Sequence, residues 1–132
     1  YDPQAYVPST VVVNLGTNDL SSPSPDERQL HDAYLGLLQR IRADASDAEI
    51  VVAVGPMLSD YYPPGSMALR KARELASRVV GALRDAGDAR ISLVEFPVAA
   101  PTEGYGCDFH PSQATHRRLA DVLVSHLRAR RP

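Results

Sequence analysis

The stretch Val11-Val12-Val13-Asn14-Leu15-Gly16-Thr17-Asn18-Asp19-Leu20 decides how the rest of the chain is read. Three consecutive β-branched residues cannot alternate between core and solvent, so they predict a strand buried on both faces. Leu15-Gly16 ends the run. Gly, Asn and Asp then favour a tight turn, for backbone reasons and through short polar side chains. A strand of this kind belongs to a parallel sheet covered by helices.

Two more strand-then-helix units continue the pattern. After a Ser/Pro-rich turn from Ser21 to Pro25, Asp26 is placed to cap a helix running to about Ala43, with Leu30, Tyr34, Leu37, Leu38 and Ile41 at helical spacing. Ile50 to Val54 reads as a second buried strand, stopped by Gly55-Pro56. Past a loop from Met57 to Gly65, Ser66 is the expected cap of a long helix to Ala86, whose stripe is Leu69, Ala72, Leu75, Ala76, Val79, Val80 and Leu83. Gly87 suits its C-terminal end. Ile91 to Glu95 is the third strand, and a loop from Pro97 to Pro111 leads into a last helix from about Ser112 to Arg128, with Leu119, Val122, Leu123, His126 and Leu127 inward. Repeated strand–helix alternation predicts an α/β layer with a parallel sheet and right-handed crossovers. Three strands make a thin sheet whose edges need covering, which predicts completion by something else.

With 132 residues, 44% hydrophobic and 23% charged, the chain has the makings of one domain with a real core. A formal net charge of -2 gives no reason to expect nucleic acid or an anionic membrane as partner. Arginine carries nearly all of the positive charge, and the tail cluster Arg128, Arg130 and Arg131 reads as a solvated helix end. The single cysteine, Cys107, rules out an internal disulfide and a multi-cysteine zinc site. No apolar run approaches the ~18 residues that span a bilayer. No signal peptide opens the chain, and its start, Tyr1 to Pro8, reads as the interior of a longer protein.

In open parallel sheets, ligands bind outside the carboxyl ends of the strands. Two unusual segments are expected there: Gly16-Thr17-Asn18-Asp19 after the first strand, and Gly106-Cys107-Asp108-Phe109-His110-Pro111 after the third. Taken singly, the first is a βα turn and the second a loop histidine before a proline-started helix. No metal and no cofactor are expected: the four histidines lack metal spacing, and both a Walker loop and Gly-x-Gly-x-x-Gly are absent. His31 and His116 read as packing or surface residues, and His126 as a helix-end residue in a favourable dipole.

Taken together, the two segments resemble the SGNH (GDSL-like) hydrolases. "VVVNLGTNDL" is similar to that family's third block, built around Gly-x-Asn-Asp, and "GCDFHPSQATHRRLAD" to its fifth, which carries the catalytic histidine. The wording of the second segment, and "GPM" after the second strand, resemble carbohydrate esterase family two, whose members remove acetyl groups from xylan, glucomannan and related sugars. The resemblance implies a three-layer α/β fold of flavodoxin-like topology. It implies that Asn18 donates its amide to the oxyanion, that Gly16 lets the backbone approach the reacting centre, and that His110 acts as general base and then general acid. Asp19 would organise the loop as a hydrogen-bond acceptor. Phe109, Tyr105, Tyr61 and Tyr62 lie on loops at the expected edge, where they would stack on sugar faces, pack, or anchor their loops.

Two departures from that pattern matter. The usual triad aspartate stands three residues before the histidine, where this chain has Cys107. The pattern resembles carbohydrate esterase family two, in some members of which a backbone carbonyl orients the histidine. The resemblance therefore implies a Ser–His dyad, with a backbone carbonyl near Cys107–Phe109 holding the other ring nitrogen, and Asp108 as the alternative third member. No Gly-Asp-Ser occurs in the 132 residues, so the nucleophile and first strands are expected in an N-terminal portion that partners this C-terminal part of one domain. The implied substrate is an acetylated carbohydrate, and secretion is implied by the family's polymeric substrates. The rival readings are another SGNH lipase, thioesterase or glycan deacetylase, and a non-catalytic carbohydrate-binding module.

Overall fold

Ile50 through Val54 are all buried, because the strand that carries them, β2 (Glu49–Val54), has a parallel neighbour on each side and helices on both faces. The computed structural model describes residues 2, 5–21 and 26–130. Most of the Ser/Pro-rich turn, residues 22–25, and Arg131 of the basic tail lie outside them, as does much of the chain start. The sheet order is β1-β2-β3, with β1 (Thr10–Asn14) registered from Thr10 opposite Glu49 to Asn14 opposite Ala53. On the other side β3 (Ile91–Glu95) runs from Ile91 opposite Ile50 to Glu95 opposite Val54.

Residue parity along β2 assigns the two faces. Ile50, Val52 and Val54 join Val13 and Ile91 in a core with helices α2 (Glu27–Asp44) and α3 (Ala68–Asp85). Val51, Ala53 and Val94 face the other way, under Val122, Leu123 and Leu127 of α4 (Gln113–Ala129). The result is the expected three-layer α/β arrangement. Full burial of side chains such as Leu38, Val79 and Ile50 contributes roughly 1.5–3 kcal/mol each.

The first strand departs from expectation. Only Val13 of β1 is buried, and Val12 is exposed, so β1 is not covered on both faces. Among the described residues nothing pairs with its outer side. Leu15 and Leu37 stand exposed nearby, and a groove lined by Tyr6, Val11, Val12, Leu37 and Ile41 follows the strand.

Helix ends follow local chemistry in three cases of four. Asp26 caps α2, its carboxylate accepting from the backbone N–H groups of Arg28 (2.9 Å) and Gln29 (3.3 Å). Ser112 caps α4 by accepting from the Thr115 N–H at 3.2 Å. The end of α3 is a Schellman motif, with Gly87 N–H bonded to Arg84 O and Asp88 N–H to Leu83 O, both 2.9 Å. Ser66, however, does not cap α3. Met67 occupies the cap position in a left-handed conformation, and the Ser66 hydroxyl is buried without a partner. The cap comes from Asp60 instead, whose carboxylate accepts from Arg70 N–H at 2.8 Å. No helix among the described residues is long and apolar enough to cross a membrane.

Candidate active site

The direction of α4 fixes which edge of the sheet carries the histidine segment. Near its C-terminal end, His126 Nε2 lies 2.9 Å from Ser92 Oγ, and Arg130 Nε bonds to the Glu49 carboxylate, both at the amino ends of the strands. A helix of 17 residues spans about 25 Å, so its first turn lies at the carboxyl edge. His110 stands immediately before that turn. Chain continuity agrees, since the segment leaving β3 is pinned by Phe96 N–H to Val54 O and Ala99 N–H to Pro56 O, each 3.0 Å.

Residues 107–110 form a turn with an unusual backbone. Asp108 (φ 49, ψ 41) and Phe109 (φ 60) are both left-handed, and His110 N–H bonds back to Cys107 O at 2.9 Å. Two successive positive φ values make this a turn of the type I′ kind. The same Cys107 carbonyl lies 2.9 Å from His110 Nδ1. A carbonyl oxygen can only accept, so Nδ1 carries the proton in the neutral ring and Nε2 keeps its lone pair, facing outward on an exposed side chain. Asp108 is exposed and makes no hydrogen bond to the imidazole.

The first segment sits at the same edge. Gly16 is buried with φ +100, a conformation that side chains resist, and the chain turns there into the short helix α1 (Thr17–Ser21), which sequence periodicity did not reveal. Leu20 is buried and anchors α1. Asn18 is exposed and its side-chain amide has no hydrogen-bond partner among the described residues. The Asp19 carboxylate is likewise exposed and accepts no hydrogen bond there, so it does not organise the loop as expected. Asn18 thus follows β1 and His110 lies on the loop after β3, the two strands that flank β2 and run roughly 10 Å apart in the sheet. Gly55, read from sequence only as a strand stop, has a tighter role: a Cβ there would come within 2.9 Å of Asn14 Oδ1.

Exposed aromatic residues lie on the loops that follow β2 and β3. Phe109 is 79% exposed and meets Tyr105 edge-to-face, with ring centroids 5.8 Å apart. Tyr61 (91% exposed) and Tyr62 follow β2, on a turn held by Ser59, whose hydroxyl accepts from both of their N–H groups at 3.1 Å. Ser59 is thereby committed to backbone rather than poised as a nucleophile.

A second serine–histidine pair, unforeseen from sequence, lies at the opposite edge. Ser92 Oγ donates to Glu49 Oε1 at 3.0 Å, so His126 Nε2 is the donor in their contact and cannot act as a base. Ser92 is also 1% exposed. Burial and the Arg130 charge lower the His126 pKa, against a smaller opposing effect of Glu49, so the helix-end environment does not favour its charged form as expected. His31 pairs with Asp32 at 3.0 Å on α2, and His116 is exposed on α4. Among the described residues, no group of three or more His, Cys, Asp or Glu is arranged to hold a metal ion.

The model of the GDSL-like lipase/acylhydrolase family matches residues 1–118. The chain belongs to this family. Cellulase/esterase CelE of Acetivibrio thermocellus is 38% identical over 128 residues, covering 97% of this chain and 15% of that protein. The acetylxylan esterase/glucomannan deacetylase of Cellvibrio japonicus is 26% identical over 141 residues, covering 99% of this chain and 36% of that protein. Among solved structures, a family two carbohydrate esterase from Clostridium thermocellum in complex with cellohexaose superposes with a TM-score of 0.90 at 38% identity, over 97% of this chain and 38% of that one. The chain therefore spans well under half the length of these relatives. For this GDSL-like chain the three parallel strands with their helices match the family fold, as the resemblance implied.

Proposed function

We propose that residues 1–132 form the C-terminal part of a single esterase domain that removes acetyl groups from carbohydrate. The observation that carries this reading is the Cys107 carbonyl on His110 Nδ1, which leaves Nε2 free to take a proton. In the reaction, a serine hydroxyl attacks the acetyl carbonyl carbon while Nε2 of His110 accepts its proton. The carbonyl oxygen becomes an oxyanion, to which the free amide of Asn18 donates, and Gly16 keeps that approach clear of a Cβ. The C–O bond to the sugar then breaks, and His110 returns the proton to the leaving oxygen. Water, activated by the same nitrogen, releases acetate from the serine. A single oxyanion donor of this kind contributes about 3–4 kcal/mol to the transition state. The dyad needs no third side chain; Asp108 supplies turn geometry rather than charge.

The serine comes from an N-terminal portion, whose first strands cover the unpaired side of β1 and the exposed Val12, Leu15 and Leu37. Phe109, Tyr105 and Tyr61 offer rings to the sugar. Secretion follows from a polymeric substrate. The chemistry uses no cofactor and no metal. A second reading, carbohydrate binding without hydrolysis, is favoured by the exposed aromatic loops and by a similar protein having been solved with cellohexaose.

The deciding experiment measures acetate release from acetylated xylan and from long-chain esters by the full-length protein, with His110→Ala and Asn18→Ala. Hydrolysis of acetylated carbohydrate, lost in the first variant and reduced about 10²–10³-fold in kcat in the second, is the expected result. Oligosaccharide binding with no hydrolysis by the unmodified protein would favour the second reading. A preference for long-chain esters would remove the carbohydrate assignment.

A further inference from the structure

The segment carrying His110 is held at a neck, and the neck is built on one carboxylate. Glu103 ends a short 3-10 turn (Pro101–Glu103), and its side chain accepts hydrogen bonds from two residues of α4. Arg118 Nε donates to Oε1 at 2.6 Å and Arg118 Nη2 to Oε2 at 2.9 Å, a side-on bidentate pair. Thr115, itself fully buried, donates its hydroxyl to Oε2 at 2.7 Å. The backbone joins in: Ser112 Oγ donates to Glu103 O at 2.8 Å while accepting from Thr115 N–H. Residues 103 and 112, the two ends of the segment, are thereby fastened to each other and to the first turns of one helix.

Between those ends the segment closes on itself. Gly106 N–H bonds to His110 O at 2.8 Å, Tyr105 bridges Pro111, and the Cys107 carbonyl takes both His110 donors. His110 is exposed, and the one side-chain hydrogen bond it makes among the described residues is to the Cys107 carbonyl. Its orientation depends on the Cys107 carbonyl, and that carbonyl depends on a turn with two left-handed residues, which costs free energy and persists only where the surroundings over-determine it. Beyond the Gly106–His110 bond and the Tyr105–Pro111 bridge, the base of this turn is restrained by the Glu103 neck.

We infer that Glu103 is a positioning residue for His110: by clamping both ends of residues 104–111 onto α4 through Arg118, Thr115 and Ser112, it holds the turn that keeps Nδ1 on the Cys107 carbonyl. The hydrogen bonds from Arg118 and Thr115 also hold the Glu103 carboxyl down to about 2, so the clamp stays charged across the working pH range. The inference rests on the proposed role of His110 for its catalytic meaning, but its test reads the ring itself.

The test is long-range ¹H–¹⁵N NMR of the full-length protein labelled at histidine, with the His110 signals assigned by their loss in His110→Asn. In the unmodified protein His110 should read as the Nδ1–H tautomer, its ring proton donated to the Cys107 carbonyl. Glu103→Ala should lose that signature and move the ring toward the Nε2–H tautomer that free imidazole side chains favour, while His31, His116 and His126 keep their signals. Glu103→Gln, which keeps one acceptor for Arg118, should restore the Nδ1–H form in part. Should Glu103→Ala not fold, Arg118→Lys, which keeps the charge but not the fork, is read the same way and should weaken the Nδ1–H signal. A folded Glu103→Ala or Arg118→Lys protein with the His110 ring unchanged overturns the inference. A ring that loosens in a protein whose hydrolysis is indifferent to His110→Ala leaves the clamp standing and sinks the esterase reading.

Discussion

Phe109 should be replaceable by Asn at no cost to folding. Its left-handed φ of 60 is an outlier for a bulky residue, and holding a side-chain-bearing residue there costs about 1–2 kcal/mol. Asn tolerates that region, so Phe109→Asn relieves about 1 kcal/mol or more without the extra unfolded-state entropy that Gly would bring. What the substitution gives up is small, because the ring is 79% exposed and meets Tyr105 edge-to-face at 5.8 Å. An exposed pair of this kind sits at the low end of its range, about 0.5 kcal/mol. The net is a stabilisation of about 0.5–1 kcal/mol. In urea, with a slope near 1.5 kcal/mol/M, the midpoint should rise by about 0.3–0.7 M. A destabilisation above about 2 kcal/mol would mean the ring is packed, as deletion of a buried Phe costs roughly 3–5 kcal/mol, and would refute the description of this turn. The same variant tests why a strained, exposed ring is there. If Phe109 stacks on sugar with about 1 kcal/mol, KM for acetylated oligosaccharide rises about fivefold while kcat holds.

Three further outcomes rest on particular groups. Gly16→Ala places a Cβ at φ +100 and should destabilise by about 1–2 kcal/mol, read from the urea midpoint; a neutral effect would contradict the turn described there. Glu103 has a folded pKa of about 2, below the roughly 4.3 of an unfolded glutamate, so its stabilisation is complete above the unfolded value and is lost as pH falls from about 4.3 toward 2. The stability gap between the unmodified protein and Glu103→Gln should therefore narrow across that window and stay constant above it. His126 has a folded pKa below its unfolded value of about 6.5, so the unfolded chain binds the proton first and stability falls as pH drops below about 6.5. His126→Gln should flatten that slope, measured by thermal unfolding between pH 7.5 and 5.

What the sequence revealed, and what it hid, divides along the line between local and non-local causes. All three strands and the three long helices were legible because apolar periodicity is a property of neighbouring residues. Asp26 was legible as a cap because it bonds two and three residues ahead. Asp60 was not, because it caps α3 from ten residues before the N–H it accepts. Val11-Val12-Val13 looked like the run in β2, yet among the described residues β2 has neighbours on both sides and β1 on one. Hydropathy records what a strand could bury, not what flanks it. The Asn18 and His110 segments stood out at the expected edge, but their chemistry was readable only through resemblance to a family, and the turn that aims the imidazole was unreadable, since Phe at a left-handed position is no turn signal. Glu103 drew no notice at all, because its partners lie twelve and fifteen residues onward in a helix whose sequence pattern concerns packing.

In the proposed mechanism the absence of an acid at position 107 is less of a loss than it looks. A triad aspartate does two things for its histidine: it selects the tautomer and it stabilises the imidazolium that forms. In chymotrypsin-type enzymes, replacing that aspartate by asparagine leaves the geometry intact, presents the wrong tautomer, and lowers kcat about 10⁴-fold. Much of the aspartate's value therefore lies in the tautomer. A backbone carbonyl cannot present the wrong partner, because it has no proton to offer. The Cys107 carbonyl thus retains selection and gives up only the full negative charge. That sacrifice matters most where imidazolium is cut off from water. The cost moves elsewhere. A carboxylate side chain can rotate to follow a ring, but a carbonyl points only where its backbone puts it, so control passes from the residue at 107 to the strained turn at 108–109 and to whatever holds that turn. Side-chain changes at Cys107 or Asp108 that keep the backbone should spare the ring, and changes to the neck at Glu103 should not.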